Sequence, residues 1–273
     1  MSTFTTKRVL ILVKTYPSPS QQYVETVCTA GITAAGEWIR LYPIPWRDLD
    51  DGQRYKIFSW VDVETEKNPK DTRPESYRVN SDSLRIVQQL DPKRDILARI
   101  RALSSIEVQS MEEIIKKQQE SKLSLGAFIP KEVFEITAKP IAREWSDAEK
   151  TKLGQMSLLV SSNKKPLEKI PYEFRIKFCC NDLTCKGHSI MITEYEFMQA
   201  YRNYFQTYAT EEKAIVMLKQ KYMEYYADMR YQRYLIMGNM HRFQTNFLNI
   251  GHYAFLQKNV PGHQQVSIFD LDI

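Results

Sequence analysis

The segment FCCNDLTCKGHSIMITEYE, residues 178–196, carries the side chains best suited to chemistry. Cys180, Cys185 and His188 follow the spacing Cys-x4-Cys-x2-His, which packs three donors into nine positions. Thiolate sulfur and imidazole nitrogen are preferred ligands of zinc, and a closed zinc site takes four of them. Zinc is therefore the expected cofactor. Gly187 permits a tight turn between Cys185 and His188. The fourth ligand has to come from elsewhere, with Cys179, Cys28, His241 and water as alternatives. Cys179 is the weakest of these, because its alternation with Phe178 and Cys180 points it to the other side of a strand. The same cysteines also read as redox or catalytic thiols, or as ordinary buried thiols.

Other groups suggest different chemistry. Asp62, Glu64 and Glu66 alternate along one strand edge with Lys67 next, a superficial match to a metal-dependent nuclease. The order departs from the usual Glu-x-Lys pairing, and DVETEK is also what an exposed strand face looks like. His241 and His252 flank a strand at 247–251, where either is a candidate general base, although no nucleophile is paired with them. Walker A, G-x-G-x-x-G, G-x-S-x-G and H-E-x-x-H motifs are all missing, which weakens ATPase, dehydrogenase, hydrolase and metalloprotease readings.

Two aromatic–basic mixtures suit nucleic acid, where rings stack on bases and cations meet phosphate. One is Trp38, Arg40 and Tyr42 with Trp46 and Arg47. The other is Tyr231, Arg233 and Tyr234 with His241, Arg242 and Phe243. Phosphate contacts are expected from Arg40, Arg47, Lys186, Arg233 and Arg242, and stacking from Trp38 or Tyr234. The competing reading makes the aromatic residues core and the arginines solvated.

The elements that must position these groups emerge from periodicity. The 273 residues are 43% hydrophobic and 26% charged, with a net charge of +5, ordinary for a folded chain with a real core. That charge permits a nucleic-acid partner without demanding one. No run of about 18 apolar residues exists, so no membrane span is expected. The short VLILV run followed by Lys14 is a poor signal peptide, and four cysteines without an export signal suggest a reduced, cytoplasmic setting.

Residues 1–90 read as short strands broken by turns, at 8–13, 23–29, 38–42, 55–63 and 84–88, which suggests a small barrel. Residues 91–160 read as a connecting region of helices and strand. In it Ser110 and Glu113 form a capping box, 127–136 is one strand region, and 145–153 is a turn of helix. A polar linker is expected at 161–169. Residues 170–273 form a mixed unit: an alternating strand from Tyr172 to Phe178, then the Cys/His cluster. A helix capped by Thr193 and Glu196 follows, then another starting at Thr210, then strands at 234–237, 247–253 and 265–269. The expected class is α+β: a barrel-like N-terminal part with a mixed helical C-terminal part.

The run ETVCTAGITAAGEWIRLYPI resembles dual OB-like domain proteins of prokaryotic mobile or defence-associated loci. The matching positions are Cys28, Ala30, Gly31, Ile32, Gly36, Trp38, Ile39 and Arg40. The resemblance spans some twenty residues and leaves the C-terminal cysteine cluster unmatched. It implies an OB-like barrel with a nucleic-acid or regulatory role, in the setting of an antiviral defence system. The leading expectation is nucleic-acid binding, DNA or RNA, as a subunit of a processing or defence assembly. The alternatives are a metal-dependent nuclease and a subunit that contacts only protein partners.

Overall fold

The computed structural model describes residues 4–19, 25–157 and 167–261. The architecture is α+β, a closed barrel followed by helices and smaller sheets. The barrel strands are β1 (Thr5–Lys14), β3 (Glu25–Thr33), β4 (Trp38–Ile44), β5 (Ser59–Lys67) and β6 (Ser76–Gln89). They run in the order β1-β5-β6-β4-β3, and a β1–β3 pairing closes the ring. Every neighbouring pair is antiparallel except β4 and β6, which are parallel. A two-residue strand, β2 (Ser18–Pro19), adds to β3. Closure brings backbones so near that a Cβ on Gly31 would lie 2.0 Å from the Leu10 carbonyl oxygen, so only glycine fits there.

The run VLILV makes most of the second half of β1 and is buried on both faces. Val9 and Ile11 point into the barrel with Ile39, Leu41, Val61 and Val63. Leu10 and Leu12 point outward into a second core with Tyr234, Ile236 and Ile250. That second core is why the run lacks alternation. The carboxylates of β5 follow from the same pleat: Val61, Val63 and Thr65 are buried while Asp62, Glu64 and Glu66 face out.

Past the barrel come α1 (Ile96–Ser104), α2 (Met111–Ser121), β7 (Leu125–Phe128), β8 (Glu132–Pro140) and α3 (Asp147–Ser157). Then follow β9 (Tyr172–Cys179), β10 (His188–Met191), α4 (Tyr195–Tyr208), α5 (Glu211–Ala227), β11 (Tyr231–Asn239) and β12 (Phe247–Leu256). One sheet has the order β10-β9-β8 and another β12-β11-β7. The stretch 127–136, expected as one strand, is therefore two strands in two sheets, broken near Pro130. Helices α4 and α5 pack on each other, and α5 lies on β8. The expected strand at 265–269 and most of the expected linker, 161–166, lie outside the described residues.

Two helices carry side-chain caps at the serine and threonine that start them. Ser110 Oγ accepts from the Glu113 backbone N at 3.1 Å, and Thr210 Oγ1 accepts from that of Lys213 at 3.4 Å. Thr193 does not cap α4, as the sequence suggests; Glu194 takes that position without a side-chain cap. The Thr193 backbone N donates to the Asn249 carbonyl at 2.9 Å, tying it to β12. Glu196 pairs with Lys14 at 2.9 Å instead of closing a capping box.

Candidate metal centre

Strand β9 ends at Cys179, and the chain turns through Asp182, whose carbonyl accepts from the Cys185 backbone N at 3.1 Å. Gly187 sits at φ +87°, the left-handed conformation that glycine tolerates, and turns the chain back. His188 then opens β10, in register with Phe178. This hairpin places three donors together. The Cys185 Sγ accepts from the Cys180 backbone N at 3.3 Å and lies 3.4 Å from His188 Nε2. The Cys180 Sγ accepts from the Met111 backbone N at 3.4 Å.

Glu112 supplies the fourth donor. It stands in the first turn of α2, which Ser110 caps, and its Oε1 lies 2.8 Å from His188 Nε2. The ligand atoms of Glu112, Cys180, Cys185 and His188 all lie within 4.8 Å of one another. Zinc bond lengths of about 2.0–2.3 Å put tetrahedral ligand atoms about 3.3–3.8 Å apart, so the widest pairs have to close by roughly 1 Å and the Glu112–His188 pair has to open by about 0.5 Å to hold an ion. The set comprises two sulfurs, one imidazole nitrogen and one carboxylate oxygen, a donor mix that suits zinc.

The local electrostatics follow from burial and hydrogen bonding. Burial pushes the Cys180 thiol well above the ordinary thiol range, against the opposing Met111 N–H bond. Burial also acts to raise Glu112. It is outweighed by hydrogen bonds from the residue's own backbone N–H, from Cys185 and from His188, so the carboxyl sits below its usual value. A carboxylate at a helix N-terminus is favourably placed as well.

None of the three side chains expected as the fourth ligand, Cys179, Cys28 and His241, joins this cluster. Cys179 lies in register with Glu132 on β8. Cys28 is in the barrel, where its Sγ accepts from Arg40 Nη1 at 3.1 Å. His241 lies in the β11–β12 turn, 3.3 Å from the Lys70 carbonyl. Glu112 was missed because it is one glutamate among many and 68 residues from Cys180. The one usable signal was the Ser110 cap, which fixes residue 112 at a helix start.

Asp62, Glu64 and Glu66 do not converge. Asp62 makes a two-pronged pair with Arg8 at 2.7 Å, Glu64 accepts from Asn80 Nδ2 at 2.8 Å, and Glu66 faces Arg78 at 3.6 Å. Most of the expected nucleic-acid residues turn inward. Tyr234 is fully buried, its hydroxyl bonded to Ser104 and Gln232 at 3.1 and 2.6 Å, so no ring face is open to a base. Arg40 is 4% exposed and donates to Ser124 Oγ at 2.8 Å. Trp38 is half-buried against the second core. Arg47 pairs with Glu25 at 2.7 Å, and Arg233 donates to the Tyr226 carbonyl. Lys186 and Arg242 are exposed.

Residues 107–272 match the family described as Domain of unknown function (DUF8757), more than half of the chain. The chain belongs to the DUF8757 family. The DUF8757 segment contains all four candidate ligands. The preceding residues 5–105, the barrel and α1, match a second family, Domain of unknown function (DUF8758). No curated protein matches the chain.

Proposed function

We propose that Glu112, Cys180, Cys185 and His188 hold a zinc ion that fastens α2 to the β9–β10 hairpin. The observation that carries this reading is the convergence of four zinc-type donors within 4.8 Å from two separate elements. Metal analysis of protein purified without added metal tests it. Near-stoichiometric zinc is expected, lost in Cys185→Ser. A metal-free protein whose stability is unchanged by that substitution removes the site.

We also propose that the protein binds single-stranded nucleic acid, with the barrel acting as an OB-like module. In support, the five strands close in the order first-second-third-fifth-fourth with one parallel pair, as OB barrels do. OB barrels read oligonucleotides on the face of their second and third strands and with the loop between the fourth and fifth. Here the β3–β4 side is occupied by the C-terminal part, through Arg40 and Ser124. The loop 68–75 meets the turn after β11, where Gln244 Nε2 donates to Thr72 Oγ1 at 2.9 Å. Around this junction Lys70, His241 and Arg242 are exposed, and Phe243 is 59% exposed.

An exposed ring among cations is what a stacking site needs. Base stacking is worth about 1–3 kcal/mol, so Phe243→Ala should weaken binding about 5- to 150-fold. Lys70→Ala should lower the salt slope by about one. Anisotropy titrations across salt with single-stranded DNA and RNA test both, and the absence of salt-dependent binding sinks the reading. No such observation favours the nuclease alternative, because its three carboxylates are spread along β5 and engaged by partners.

A further inference from the structure

The four candidate ligands are not equivalent. Cys180, Cys185 and His188 come from one hairpin, and both sulfurs are fixed by backbone N–H groups. Glu112 comes from a different element, has its side chain 21% exposed, and leaves Oε2 without a hydrogen-bond partner. It also lines an open cleft of about 780 Å³. A structural zinc site is closed by four ligands, whereas a reactive site keeps three fixed ligands and one position open to exchange. The volume falls in the range of small-molecule sites.

Resting on the zinc reading above, the geometry points to an exchangeable fourth coordination position. Cys180, Cys185 and His188 form a fixed three-ligand platform. Glu112 is the ligand that yields to a donor entering from the cleft. In that exchange the metal–oxygen bond to Glu112 breaks and a bond to the incoming lone pair forms. No proton or electron moves.

The cleft wall defines the class of ligand. Glu107, Glu113 and Asp182 line it together with Glu112, against Lys116 as the one cation of the lining. A displaced Glu112 adds its own negative charge to that wall. Polyphosphates and nucleic acids are repelled there, and a neutral or cationic molecule carrying a nitrogen donor is accommodated. The cleft is thus separate in chemistry from the Lys70–Phe243 surface.

Cobalt(II) loaded into the full chain reports both the metal and its exchange. Sulfur-to-cobalt charge transfer shows occupancy, and the visible bands respond to a change of ligand. Imidazole is the neutral nitrogen probe and inorganic phosphate the anionic control. Saturable change with imidazole and none with phosphate is expected. Glu112→Ala should still load cobalt and bind imidazole at least about 10-fold more tightly, since no carboxylate competes.

If wild-type protein loads no cobalt, the zinc reading itself fails. If it loads cobalt and imidazole leaves the bands unchanged, the zinc reading stands and the exchangeable position is overturned. Equal imidazole affinity in wild type and Glu112→Ala also overturns it, because another ligand is then the one displaced. So does loss of loading in both Glu112→Ala and the milder Glu112→Gln.

Discussion

Glu194 and His252 face each other at 3.7 Å with side chains 5% and 6% exposed. Burial, reinforced by nearby Glu196, pushes the Glu194 carboxyl well up, while burial pushes the His252 imidazole down to about 3. Both shifts favour the neutral forms, so the contact is not an ion pair, and Tyr226 completes it by bonding His252 Nδ1. The two groups act oppositely on stability. His252, lowered from 6.5, contributes fully above 6.5 and loses that contribution as pH falls toward about 3. Glu194, raised from 4.5, contributes fully below 4.5 and loses it as pH rises through its folded value. Glu194→Gln removes the ionisation and should stabilise by about 1–3 kcal/mol at alkaline pH, the usual cost of an uncompensated buried polar group. Urea midpoints at pH 5 and pH 8 check this, with a larger gain expected at pH 8. At this scale the sequence exposed only what was contiguous. Cys180, Cys185 and His188 could be read from spacing, but Glu112, Lys14 and Glu194 owe their roles to distant parts of the chain and leave no local pattern.

At the scale of elements, the start of α2 has two duties. Ser110 caps the helix, and the same turn presents Glu112 to His188 and the Met111 N–H to Cys180. Ser110→Ala should cost about 1 kcal/mol in urea unfolding. It should also weaken metal retention in competition with a chelator, because the cap orients both groups. Elements with a strong period were legible: β9 alternates cleanly, and α2 and α5 carry their caps in sequence. β10 was not, since four residues show no period and its pairing with β9 fixes it. The split between β7 and β8 was hidden for a different reason. Only residues 129–131 separate the two strands, and their partners, β11 and β9, tell them apart.

At the scale of the whole molecule, the barrel and the C-terminal part share a core and are joined by buried polar groups. Arg73, 6% exposed at the side chain, pairs with Asp71 at 2.6 Å and donates to the Asn239 carbonyl at 3.0 Å. Nearby, Glu75 accepts from the Ser124 backbone N at 2.9 Å. Arg73→Ala leaves Asp71 buried without its cation and should cost about 3–5 kcal/mol. Barrel and C-terminal fluorescence probes should then report separate unfolding midpoints where the wild type gives one. A barrel-like N-terminal part could be read from strand and turn density. The docking could not, because Arg40 and Trp38 look the same in sequence whether they face a ligand or a neighbouring sheet.

The two-faced burial of β1 has a consequence for how the chain is made. Translation delivers the barrel strands long before β11 and β12, and domains tend to fold as they emerge. During that interval the core around Leu10, Leu12 and Ile32 lacks Tyr234, Ile236 and Ile250, the part that β11 and β12 supply. A barrel that folds before those strands emerge therefore leaves part of its outer apolar face open to other chains until they dock.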